Sequence, residues 1–271
     1  GALLEVEERT VVGRLGSPLE LRGTAFRRAC SAADLVAVEV PRAWQACLPA
    51  GAQLRMPAWV SQELLAAGES PVTLPAPIRK EVRRQTRRNA YELRFTTDVS
   101  DVRRFYAALY RPYVTARFGS GAVLVDEAQF LAVSRGMTLA MLTAAGDWVA
   151  GMLLQQRGAT LHLGWFGSTT VPPRAGASEV LDAGSIAWGA AQGVSRVVMG
   201  HSRPSLADGV VRYKCRFGAI VRPTRFPQRT VGLWVQRWSP ALVASLNAAG
   251  FVSFRDGQAC VYEAQPGAAA P

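Results

Sequence analysis

The sequence predicts a mixed α/β (α+β) chain: a mainly antiparallel sheet flanked by helices, preceded by a smaller β-rich region. Three observations carry this reading. Three alternating segments, 138–143, 148–156 and 160–166, follow one another across the turn signals Ala145-Gly146-Asp147 and Arg157-Gly158, which predicts an antiparallel meander. Apolar residues recur at helical spacing before the meander (Val102, Phe105, Tyr106, Leu109, Tyr113), and a helix over 178–192, stopped by Gly193, is predicted after it. The first 70 residues lack that periodicity and are punctuated by Gly13, Gly16, Gly23, Pro41, Pro49 and Gly51.

In order along the chain, residues 10–15, 19–22 and 35–40 read as short strands and 61–67 as a short helix. The Pro-rich stretch 71–77 marks a boundary. It divides a β-rich region, 1–77, from a second domain, 78–265. A basic helix opens that domain, followed by a strand at 91–97, a helix over 102–115 and another over 126–135, where Asp126 and Glu127 suit the first turn. After the meander and the 178–192 helix come a short buried strand at 196–199, a loop and short helix over 204–218, strands at 219–222 and 230–235, a helix at 240–249 and a last hairpin over 252–262. The tail 266–271 is expected to be disordered. Trp234 and Trp238, near Arg237, either face a partner or pack.

Composition bounds the function. The chain has 271 residues, 49% hydrophobic and 19% charged, ordinary for a globular protein. No apolar run approaches the ~20 residues of a membrane span, and early Glu5, Glu7 and Glu8 argue against a signal peptide. The expectation is a cytoplasmic protein. The four cysteines fit no zinc spacing, only two histidines are present, and HExxH is absent, so no metal is expected. A P-loop and a GxGxxG fingerprint are also missing. Pro204 stands where a G-x-S-x-G nucleophile elbow needs Gly, which removes a serine hydrolase. The net charge of +11 calls for an anionic partner. On the basic helix, Lys80, Arg83, Arg84, Arg87 and Arg88 fall at i, i+3, i+4, i+7 and i+8. They form one cationic stripe, either a solvated face or a docking surface for phosphates or acidic side chains.

Three stretches resemble the GNAT acyltransferases, in particular their Fem-like branch, which includes BioF2-like acetyltransferases. The first is the basic helix followed by strand, helix and Arg117-Phe118-Gly119. The second is Trp148-Val149-Ala150-Gly151 in the strand pair. The third is Met199-Gly200-His201-Ser202-Arg203-Pro204, then Asp208-Gly209-Val210, then Tyr213-Lys214-Cys215-Arg216-Phe217-Gly218-Ala219. The resemblance implies a GNAT-like domain over 78–265, with 1–77 a degenerate GNAT-like half. It also implies transfer of an acyl group from acyl-CoA, or from the phosphopantetheine of an acyl-carrier protein, to a small amine or amino acid. An aminoacyl-tRNA donor is the alternative within the branch, and a binding module on a decayed GNAT fold is a second. One departure stands out. The pyrophosphate motif R/Q-x-x-G-x-G/A is replaced by Pro172-Pro173-Arg174-Ala175-Gly176-Ala177-Ser178, as is common among Fem-like members.

Acyl transfer to an amine needs a neutral nucleophile, a stabilised oxyanion and a protonated leaving group. Arg174 and the amides of Ala175, Gly176, Ala177 and Ser178, before a helix, can hold a phosphate or simply form a turn. The resemblance makes Lys214 a candidate to meet the oxyanion or a donor phosphate, with a surface lysine the alternative. Tyr213 either protonates the leaving group or packs. His201, ending a strand, either takes a proton from the amine or is structural. Arg117, Phe118, Ser202, Arg203 and Asp208 are candidates for substrate binding, with helix capping the alternative for Asp208.

Overall fold

The computed structural model describes residues 17, 20–21, 23–31, 33–48, 52, 54–68, 70–119, 122, 124–224 and 229–265. The helices are α1 (Thr24–Ser31), α2 (Ala76–Asn89), α3 (Val99–Phe105), α4 (Arg111–Phe118), α5 (Glu127–Val133), α6 (Ala177–Ala191), α7 (Gly209–Arg216) and α8 (Pro240–Ala249). The strands are β1 (Leu35–Pro41), β2 (Leu54–Pro57), β3 (Val60–Leu65), β4 (Tyr91–Thr96), β5 (Thr138–Ala144), β6 (Asp147–Arg157), β7 (Thr160–Ser168), β8 (Arg196–Ser202), β9 (Ile220–Pro223), β10 (Arg229–Val235), β11 (Val252–Arg255) and β12 (Gln258–Val261). The run from β4 through the meander to α6 and β8 follows the order expected from the sequence. Strand 10–15 and the tail 266–271 lie outside the described residues.

The chain divides into two compact units. One gathers residues up to 62, 201–215 and those from 221 on; the other holds 63–200 and 216–220. This line differs from the expected 1–77 and 78–265 split for a physical reason. In the first unit β10 lies between β1 and β2, with Leu35 opposite Val235 and Leu54 opposite Leu233, so strands far apart in sequence share one ladder. Leu21, Val38, Val40, Leu48 and Trp234 pack together there. Trp234 is therefore core, while Arg237 pairs with Asp34 at 2.6 Å.

The second unit is built on a sheet ordered β4-β5-β6-β7-β8-β3-β9, which β3, β8 and β9 enter with residues 63–65, 196–200 and 220. The pairs from β4 to β7 are antiparallel and β7–β8 is parallel. This is the expected mixed, mainly antiparallel sheet. Strands β5 and β6 read as near-continuous apolar runs because both faces are covered. Alternation sends Leu139, Met141 and Leu153 into a cluster with Phe105, Tyr106, Leu109 and Phe130. Residues on the other face, such as Leu93 of β4, which lies opposite Leu142, meet α6.

The helix expected over 102–115 is interrupted: Tyr106–Tyr110 forms a π-turn between α3 and α4. Gly151 and Gly167, opposite each other on β6 and β7, make a flat floor for it. A Cβ on Gly151 would lie 2.8 Å from the Phe105 ring, and one on Gly167 would lie 2.6 Å from the Tyr110 backbone. A backbone neighbour cannot rotate away. Gly167→Ala is therefore expected to destabilise the protein by about 1–3 kcal/mol, measured by urea unfolding.

Two other expectations fail. The 61–67 helix is strand β3, and the 19–22 strand contains a 3₁₀ turn at Glu20 and Leu21. In β3, the residues Val60 to Leu64 are all buried, so burial in a sheet overrides the helix propensity of Glu-Leu-Leu.

Candidate functional site

In the second unit, the β7–β8 ladder covers only Thr160–His162 against Arg196–Val198. Among the described residues it stops there, although β7 runs on to Ser168. The cause lies on the other edge of β7. One residue separates Met152 from Leu154 on β6, but Gly164 and Trp165 both separate their partners Leu163 and Phe166. This β-bulge bends β7 where it leaves β8. A Cβ on Gly164 would sit 2.7 Å from the Leu153 carbonyl oxygen, so the bulge needs glycine. The end of β7 is pinned instead to β6. The Ser168 and Thr169 hydroxyls and the Thr169 amide donate to the Val149 carbonyl at 3.2, 3.3 and 3.0 Å. The result is a parallel pair that opens toward its C-terminal ends, the usual side for ligands in α/β sheets. His162 stands at the last rung. Burial, reinforced by Arg157 and Arg196 and opposed by Glu63, lowers its pKa, which favours the neutral imidazole.

The chain leaving β7 passes through 169–176 into α6. Gly176, at φ 74°, is the N-cap, and a Cβ there would be 2.6 Å from Gln85. The Ala175 carbonyl accepts from Tyr91 Oη at 3.0 Å and Asn89 Nδ2 at 3.3 Å, which fixes the loop to α2 and β4. Arg174 and Ala175 are exposed, Ser178 is half-buried and Ala177 is buried. Glu179 occupies the first turn of α6. Arg174 and the first amides of α6 thus lie at one helix start, with the Glu179 carboxylate in the same turn.

Lys214 belongs to the first unit. It is 8% exposed, and its Nζ donates to the His201 carbonyl and Ser202 Oγ, both at 3.1 Å, and to Gln62 Oε1 at 3.2 Å. Ser202 Oγ in turn donates to the same Gln62 oxygen at 2.9 Å, while Gln62 Nε2 is buried without a partner among the described residues. The network thus joins Lys214, Ser202 and His201, which sequence reasoning placed in one segment, to Gln62, which it missed. No signal pointed to Gln62, because 61–67 read as a short helix with no chemical motif. An ammonium has three donors, so a substrate oxygen reaches this one by sharing or displacing a present acceptor. Tyr213 is half-buried and the His201 residue is exposed.

The other candidates divide. Asp208 caps α7, accepting from the Val210 and Val211 amides at 2.8 and 3.0 Å, the second of its two expected uses. Arg203 lies over the Trp59 ring at 4.3 Å. Arg117 and Phe118 are exposed at the end of α4, and Arg117 bonds the Tyr113 hydroxyl and lies over the Phe118 ring. On α2, Lys80, Arg83, Arg84, Arg87 and Arg88 are all exposed. Arg84 is engaged by Glu81 at 2.6 Å. That hydrogen bond, with one from Gln85, holds the Glu81 carboxyl at about 2. The bulge at Gly164 was also missed, although a glycine inside an alternating strand is a legible sign of one.

No helix among the described residues is long and apolar enough to cross a membrane. No family model matches the sequence, and no curated protein does. Among solved structures, the chain is similar to L-PGS from Bacillus licheniformis, with 13% identity, a TM-score of 0.47, and coverage of 72% of this chain and 66% of that one. It is similar to FemX with 9% identity and a TM-score of 0.47, over 77% and 68% of the two chains. For a GCN5-related N-acetyltransferase from Sphaerobacter thermophilus the values are 15%, 0.42, 73% and 66%. The chain thus spans just under two thirds of the first and third of these.

Proposed function

We propose that the chain is an N-acyltransferase. It moves an acyl group from a thioester, on coenzyme A or an acyl-carrier protein, to a small amine by direct attack while both are bound. The observation that carries this is the opened β7–β8 pair running into the start of α6. An extended donor arm with amide groups can pair with the backbone of β7 beyond the bulge. Its phosphate then reaches Arg174 and the first amides of α6. Holding donor and acceptor in line supplies much of the rate without a covalent enzyme intermediate. In this reading the acceptor nitrogen attacks the thioester carbon, the oxyanion collapses, the carbon–sulfur bond breaks and the thiolate takes a proton. The resemblance of their segment assigns the oxyanion donor, the proton donor and the base to Lys214, Tyr213 and His201, all of the first unit. Glu179 disfavours a cluster of phosphates at the helix start, which favours the single phosphodiester of a carrier-bound arm over the diphosphate of coenzyme A.

The exposed cations of α2 favour a second reading, an aminoacyl-tRNA donor. Native mass spectrometry against acyl-CoAs, acyl-loaded carrier protein and charged tRNA tests both. Retention of a thioester donor is expected, weakened about tenfold by Arg174→Ala, the loss of one charge-assisted hydrogen bond. Retention of charged tRNA alone overturns the first reading.

A further inference from the structure

The second unit contains a cavity of about 530 Å³ that the proposed reaction does not use. The segment 72–74, one face of α2, Tyr91 and Leu93 of β4 and the stretch 180–190 of α6 line it, and it opens to solvent. Its volume falls within the ~300–1,000 Å³ of small-ligand sites. Val72, Leu74, Val82, Leu93, Val180 and Ile186 make its wall apolar. The Tyr91 hydroxyl donates to the Ala175 carbonyl at 3.0 Å, and burial raises its pKa, with Arg174 opposing and Glu179 adding. The space exists because α6 presents Ala183, Gly184, Ala187 and Ala190 to it. A Cβ on Gly184 would come within 2.0 Å of Leu93, so helix and strand are already in contact beside the void.

Two cations border this apolar space. Arg79 and Arg83, one turn apart on α2, both line the cavity and are exposed. Among the described residues neither has a carboxylate within ion-pair distance, because Glu81, the acid between them, is held by Arg84 and Gln85. An apolar void with two unneutralised guanidinium groups at its edge selects a ligand that is greasy at one end and anionic at the other. A neutral sterol or an aromatic ring would leave the arginines unused, and a polyanion would leave the cavity empty.

We propose that this cavity is a separate ligand site, taking one straight hydrocarbon chain that ends in a carboxylate or phosphate held by Arg79 and Arg83. The inference stands apart from the acyl-transfer reading, since no residue of the β7–β8 opening contributes to it. Calorimetric titration with octanoate, decanoate, dodecanoate, dodecyl phosphate and dodecanol, each below its micelle concentration, tests it. Affinity is expected to rise about fourfold per methylene through the carboxylate series, and the phosphate arm shows which head group is preferred. The double variant Arg79→Ala/Arg83→Ala should lose about tenfold or more for both anions and nothing for dodecanol. Ala187 is exposed, so Ala187→Trp can fold while filling the space, and it should abolish binding of all chains. Arg157→Ala, which removes one exposed charge elsewhere, should bind as the parent does. Three results overturn the proposal: affinity independent of chain length, equal loss in the Arg157→Ala control, or undiminished binding in a folded Ala187→Trp.

Discussion

Replacing Lys214 with Met is expected to lower the turnover of acyl transfer by about 100- to 1,000-fold, the cost of removing one preorganised oxyanion donor. The same change should lower stability by about 1–3 kcal/mol, because the His201 carbonyl and Gln62 Oε1 lose a charged donor in a buried place. The two effects separate by comparison. Gln62→Met disturbs the same network from the other side: it removes the shared acceptor of Lys214 and Ser202 but leaves the ammonium. It should cost similar stability and far less turnover. Urea unfolding gives the first quantity and kcat per folded molecule the second. If Lys214→Met and Gln62→Met lose kcat equally, the ammonium acts only through packing and hydrogen bonding, and its proposed role at the carbonyl falls.

The meander was legible because each of its strands is bounded by a turn residue with a physical job: Gly146 and Gly158 adopt φ 86° and 55°. Helix α5 was legible for the same kind of reason, since Asp126, read as suited to its first turn, accepts from the amide of Gln129. What failed was what depends on distant partners. Nothing local in Ser61-Gln62-Glu63-Leu64 says strand; Glu63 is buried because Arg196, 133 residues away, meets it at 2.6 Å. Pairing of β1 and β2 with β10 was hidden likewise, so the unit boundary could not be read from the Pro-rich connector. Of the candidate site, Arg174 to Ser178 and Lys214 were visible as types in a pattern. The bulge and the buried amide beneath Lys214 required the fold. The cavity beside α2 is formed by residues about 100 positions apart, and no periodicity encodes a void.

Neutralising the free part of the α2 stripe should decide which donor the protein takes. Glu81 compensates Arg84, so the cations left for a partner outside the cavity are Lys80, Arg87 and Arg88, all exposed. Each phosphate contact that a cation makes to a single-stranded nucleic acid contributes about 0.7 to the slope of log affinity against log salt. With a charged tRNA as donor, the triple variant Lys80→Ala/Arg87→Ala/Arg88→Ala should flatten that slope by about 2 and lose about 10- to 100-fold in affinity at low salt. An acidic carrier protein should respond in the same direction but less steeply, since its carboxylates lack a condensed counterion layer and surface ion pairs are worth little. Free acyl-CoA, held at the start of α6, should not respond at all. Filter binding and native mass spectrometry across a salt series read all three. The ordering of the three responses follows from charge density alone, so it holds whatever acyl group is carried. If every donor binds the triple variant with the parent's affinity and slope, the stripe is a solvated helix face, and the anion that a charge of +11 calls for is met elsewhere.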